Sequence, residues 1–161
     1  MYGPVVALGN PTDRIQPYGA ARGYFQGVEW KQAVGDLVSG AKAIVVCMND
    51  TDNIWWEVEQ IVNEKGIHKT LFVFRPRHEL KEKRAIIHRL AEEIPQLREF
   101  ALPSHQPTNE QFISSILGFF FDNEGNLQIG VSSSFRHLAY VLMSRWFVRS
   151  ANKETPEQAV A

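Results

Sequence analysis

The stretch Ala43-Ile44-Val45-Val46-Cys47-Met48, followed by Asn49-Asp50-Thr51-Asp52-Asn53 and then Ile54-Trp55-Trp56-Glu57-Val58-Glu59, decides how this chain reads. The opening run is apolar throughout and rich in β-branched residues. That pattern predicts a central parallel strand covered on both faces. Cys47 then reads as an inert core thiol near the strand's end. The polar residues 49–53 are helix-capping types and predict a turn. Ile54, Val58, Ile61 and Val62 fall on one face of a helix over residues 54–65, which Gly66 closes. Leu71-Phe72-Val73-Phe74 is a second apolar strand, stopped by Pro76.

Upstream, Val5-Val6-Ala7-Leu8 reads as a buried strand that ends at Gly9-Asn10-Pro11. Residues 10–27, with Pro11, Pro17, Gly19, Gly23 and Gly27, predict a long loop, a kind of segment that is usually functional in a compact domain. Trp30, Ala33, Val34, Leu37 and Val38 have helical spacing over residues 28–38, with Gly40 as the stop.

Downstream, residues 79–93 form a charged helix with Leu80, Ile86, Ile87, Leu90 and Ile94 as its inner stripe. Thr108-x-x-Gln111 opens a helix through residue 117. Residues 119–121 and 127–129 make a hairpin around Asp122-Asn123-Glu124-Gly125. Ser133 or Ser134 caps a final helix over residues 135–149. The sum is an α/β fold: a mostly parallel, three-layer flavodoxin-like sheet with helices on both faces. One domain is expected over residues 1–150, with a flexible tail over 151–161. In such sheets ligands bind beyond the carboxyl ends of the strands. The loop over residues 9–27, the turn at 49–53 and the loop after Phe74 therefore converge.

Composition bounds the function. The chain has 161 residues, of which 44% are hydrophobic, enough to build a core rather than a disordered segment. The net charge of −1 supplies no basic field for nucleic acid. Arg75, Arg77, His78, Lys81, Lys83, Arg84, His88 and Arg89 are interrupted by Glu79 and Glu82 and read as a solvated helix face. No apolar run reaches the roughly 18–20 residues of a membrane span. The single cysteine excludes an internal disulfide and fits a cytoplasmic protein. The histidines at 68, 78, 88, 105 and 137 lack metal-ligand spacing, so no metal is expected.

The segment after the first-quoted strand resembles two related site designs. TIR domains place a strand, a polar turn and a helix opening W-x-x-x-E, which Trp55 and Glu59 match. Nucleoside deoxyribosyltransferases open the helix with Glu and an apolar residue, which Glu57-Val58 matches. The chain also resembles an uncharacterised bacterial family over residues 3–76. The matching parts are Gly3-Pro4-Val5-Val6-Ala7-Leu8-Gly9-x-Pro11, Pro17-Tyr18-Gly19-Ala20-Ala21-Arg22-x-Tyr24, Trp30 and Trp56-Glu57.

The resemblance implies a domain that binds a nucleotide or nucleoside and cleaves an N-glycosidic bond of NAD or a related nucleotide. Glu57 and Glu59 are its catalytic candidates, since a carboxylate at a helix start holds ribose hydroxyls or stabilises an oxocarbenium-like centre. Both read as exposed, and ordinary solvated charge in a first helical turn is the alternative reading. They lie about 200° apart around a helix, so only one can point into a crevice. Gly9 and Asn10 would present backbone N–H groups to a phosphate. Arg22 would meet a phosphate or carboxylate. Asn49, Asp50 and Trp56 complete the ligand-binding candidates.

No cofactor beyond NAD or a nucleotide as ligand is implied. A non-catalytic self-association or signalling module is the competing reading. In the implied strand order the chain starts at the second strand, leaving residues 5–8 and 43–48 without the strand between them. Such unpaired edges are costly. Direct pairing of the two strands, repair by the hairpin, or cover from another chain would resolve them, and a homo-oligomer, most simply a two-fold dimer, is expected.

Overall fold

The computed structural model describes residues 6–8, 21–23, 28–76, 78–98, 107–134 and 137–151. The chain divides into two compact units, Met1–Gly40 and Ala41–Ala161.

In the first unit, β1 (Val6–Leu8) pairs in parallel with β2 (Ala21–Gly23), with Ala7 opposite Arg22. Residues 21–23 form a strand within the stretch whose composition predicts a loop. Gly and Pro around them hide the strand, and its partner is distant in sequence. Helix α1 (Val28–Gly40) follows and buries Val34 and Val38, one turn apart.

The second unit holds an open sheet in the order β3-β4-β5-β6, from β3 (Ile44–Met48), β4 (Thr70–Phe74), β5 (Ile116–Phe121) and β6 (Leu127–Val131). The expected mostly parallel sheet is replaced by a mixed one. β3 and β4 are parallel, joined through α2 (Asp52–Asn63), whereas β4–β5 and β5–β6 are antiparallel. The cause is local. Helix α4 (Pro107–Ser115) runs straight into β5, and the turn after β5 is too short for a crossover. In that turn Asp122 Oδ1 accepts the N–H groups of Glu124 and Asn126 at 3.0 and 2.9 Å, and Gly125 takes a φ of 83°.

The two faces of this sheet differ. Phe72 and Phe119 stack at 4.9 Å on the face shared with α2 and α3 (Leu80–Glu93). On the other face α5 (His137–Ala151) sets Met143 and Phe147 against Leu71, Leu117 and Phe120. Gly118 permits this approach. A Cβ there would collide with the Phe72 carbonyl oxygen and lie 2.9 Å from Met143 Cε.

α5 does not reach across β3. Val45 is 62% exposed and Cys47 is exposed, while Val46 and Met48 on the opposite face are buried. Both expectations for this strand are thus corrected. β3 lies at the sheet edge rather than the centre, and Cys47 is not a core thiol.

Lys83 corrects the reading of the basic run as solvated throughout. Its side chain is buried in α3, and Nζ donates to the carbonyl oxygens of Ser114 at 2.7 Å and Ile116 at 2.8 Å. The ammonium thereby caps the end of α4 and ties it to the first residue of β5. Burial pulls its pKa down to about 8. Lys83→Met would keep the apolar stem and leave both carbonyls without that donor. We expect a loss of about 2 kcal/mol in urea unfolding at pH 7. An unchanged midpoint would remove the capping role.

Candidate functional site

The carboxyl end of β3 opens the crossover through α2, and the turn between β3 and α2 carries several of the expected ligands. Asn49 Oδ1 accepts the Asp50 N–H at 3.0 Å and shapes the turn. Thr51 occupies the helix N-cap position without a side-chain cap, and Asp52 lies in the first turn. The acidic start complements the helix dipole.

Asp50 is committed to packing. Its Oδ1 accepts the Trp55 indole N–H at 2.8 Å and lies 3.7 Å from an Arg89 guanidinium nitrogen. The Arg89 guanidinium also stacks over the Trp55 ring at 4.2 Å. Trp55 is the core tryptophan of the pair, at 6% exposure. These contacts clamp the start of α2 against α3. Sequence reasoning missed Arg89 because its helical spacing resembles any solvated basic position. Nothing local ties it to Asp50.

The two candidate glutamates separate. Glu59 is exposed. Glu57 is half-buried, against expectation, and burial pushes its carboxyl up to about 7. The helical period explains the split. Trp55, Val58 and Ile61 are the buried residues of α2, and Glu57 falls beside Ile61, about 200° from Trp55. Trp55 marks the flank that meets α3. Glu57 therefore occupies the opposite flank of the helix. Trp56 is half-buried between the two flanks.

A second group of side chains surrounds the ends of β3 and β4. The Tyr140 hydroxyl donates to the Phe74 carbonyl at 3.1 Å and is held above its ordinary pKa first by burial and then by the nearby Cys47. Although Cys47 as a residue is exposed, partial desolvation of its thiol raises the pKa, and Arg75 partly offsets this. His78 packs edge-on to Phe74 at 6.2 Å, with Nδ1 buried and unbonded among the described residues. Burial lowers its pKa, Arg75 and Lys83 add to the effect, and Glu82 opposes it. No sequence signal marked Tyr140, because its partner is a backbone carbonyl far upstream.

Gly9 and Asn10 lie outside the described residues, and Arg22 belongs to β2 of the first unit. In the second unit Asn49, Asp50, Trp56 and Glu57 share the turn and opening of α2. Among the described residues, no three His, Cys, Asp or Glu side chains gather where they could hold a metal, and no helix is long and apolar enough to cross a membrane. Comparisons with family models, curated proteins and solved structures give no match.

The raised Glu57 pKa has a definite sign. The folded state holds this proton more tightly than the unfolded chain, so folding loses stability as pH rises from about 4.5 to about 7. Below that window the carboxyl is neutral in both states and costs nothing. Glu57→Gln removes the titration. The variant should match the wild type near the bottom of the window and exceed it above neutrality by on the order of 2 kcal/mol, allowing for partial exposure. Thermal melts across this pH range test it, and parallel pH profiles for the two proteins would contradict it.

Proposed function

We propose that this chain binds a small nucleotide or nucleoside through the turn and first helical turns after β3, and that it cleaves an N-glycosidic bond of NAD or a related nucleotide with Glu57 as the acid–base group. The observation that supports this reading most is the carboxyl of Glu57, tuned by burial to about 7 at the opening of a β-α-β crossover. A group that titrates near neutrality exchanges protons in either direction under working conditions. In the proposed reaction the bond between the anomeric carbon and the base nitrogen breaks, and its electron pair leaves with the base. Water forms the new carbon–oxygen bond, and Glu57 accepts the proton that water releases. Asn49 and Trp56 are the neighbouring candidates for contacts to sugar and base. A TIR-like, flavodoxin-like layout agrees with the parallel β3–α2–β4 unit, and would place a further parallel strand against the open edge of β3.

A second reading, a non-catalytic self-association module, is favoured by that same uncovered edge. Incubation with NAD separates the two. The enzyme reading expects free nicotinamide to accumulate with the wild type and to fall at least tenfold with Glu57→Gln, while Glu59→Gln keeps most of the activity. Intact NAD after prolonged incubation at high protein concentration would leave the interaction module as the better account.

A further inference from the structure

We propose that His78 is an acid-released latch on the connection between β4 and α3. As the neutral ring it packs this connection against Phe74, and as the protonated ring it swings into solvent and lets the first turn of α3 open. Every group in the latch belongs to the second unit.

The backbone places His78 immediately before the helix. Its N–H donates to the Arg75 carbonyl oxygen at 3.2 Å, and Glu79 follows as the N-cap of α3. The Glu79 N–H donates to Glu82 Oε2 at 3.2 Å, the bond by which a capping box closes a helix start. A cation suits the carboxyl end of a helix and is repelled at its amino end, where the dipole is positive.

The side-chain surroundings favour the neutral ring as well. Nδ1 is buried and has no hydrogen-bond partner among the described residues. The ring meets Phe74 edge-on at 6.2 Å, and the Lys83 ammonium stands 5.8 Å from the centre of the same Phe74 ring. Arg75 and Lys83 are the cations that act on His78, and Glu82 is the opposing anion. β4 contributes the uncharged Phe74. A proton on His78 therefore adds a third positive charge to this cluster, and burial adds a desolvation cost. Moving the ring into solvent relieves both.

The first turn of α3 ends at Lys83, whose N–H donates to the Glu79 carbonyl oxygen at 3.0 Å. Its ammonium ties α4 to β5, so opening the turn reaches that tie. The sign is opposite to that of Glu57. Stability from neutral His78 is present above its ordinary value of 6.5 and is lost as pH falls below it. Global melts mix the two effects, so the latch requires a local readout. It does not rest on the activity proposed for Glu57.

Hydrogen exchange over residues 78–85, corrected for intrinsic rate and compared at about pH 5 and about pH 7.5, provides one. Protection there should fall about threefold or more in acid. It should fall no more than about thirtyfold, the ratio that a group of ordinary value 6.5 allows at pH 5. Residues 71–73 of β4 should keep theirs. His78→Gln, which cannot take the proton, should hold equal protection at both pH values. Arg75→Gln removes a repelling cation from an exposed position and should shrink the acid loss, whereas Glu82→Gln should enlarge it. Equal protection in the wild type, an acid loss undiminished in His78→Gln, or a loss shared equally by β4 would overturn the latch. So would an NMR titration of the His78 ring with a midpoint at or above 6.5.

Discussion

Backbone pairing along β4 organises the second unit. β4 takes a parallel partner on one side and an antiparallel one on the other, and its residues from Thr70 to Phe72 are fully buried. The parallel side requires a crossover, which is α2. The antiparallel side requires β5 to arrive from the far end, which α3 and α4 arrange. Lys83 secures that arrival by bonding both the end of α4 and the start of β5. A buried ammonium is expensive unless its donors are satisfied. The Ser114 carbonyl is one of the groups that a helix end leaves open.

The same packing gives the two glutamates of α2 different environments. α2 is clamped to α3 on one flank by Asp50, Trp55 and Arg89. Glu57 lies on its other flank. One helix therefore presents two carboxylates in different environments: Glu59 in solvent, and Glu57 desolvated enough to titrate near neutrality. The contrast arises from a separation of two residues on a helix, which places the groups on opposite flanks.

Much of the local structure was legible in the sequence. The apolar runs at 43–48 and 71–74 became β3 and β4, and the periodic stripe at 79–93 became α3. The turn Asp122-Asn123-Glu124-Gly125 joined two strands as expected. Ile116 and Leu117 open β5 although the sequence predicts them in the preceding helix, because an apolar pair followed by glycine suits a helix end as well as a strand start. What could not be read was adjacency. An all-apolar strand looks the same at the centre and at the edge of a sheet, so the exposure of Val45 and Cys47 was hidden. Lys83 and Arg89 were hidden for a related reason. Their partners lie on other elements, and spacing along α3 does not reveal them. Of the site, both glutamates were visible as candidates, but only the packing of α2 distinguishes them.

The central claim is that burial on this flank of α2 gives Glu57 a carboxyl suited to proton exchange near neutral pH. A carbon-13 NMR titration of the glutamate side-chain carboxyls, with Glu57→Gln used to assign the resonance, measures this directly. The account predicts a midpoint of about 7 for Glu57. A midpoint near the ordinary glutamate value of about 4.5 would contradict it.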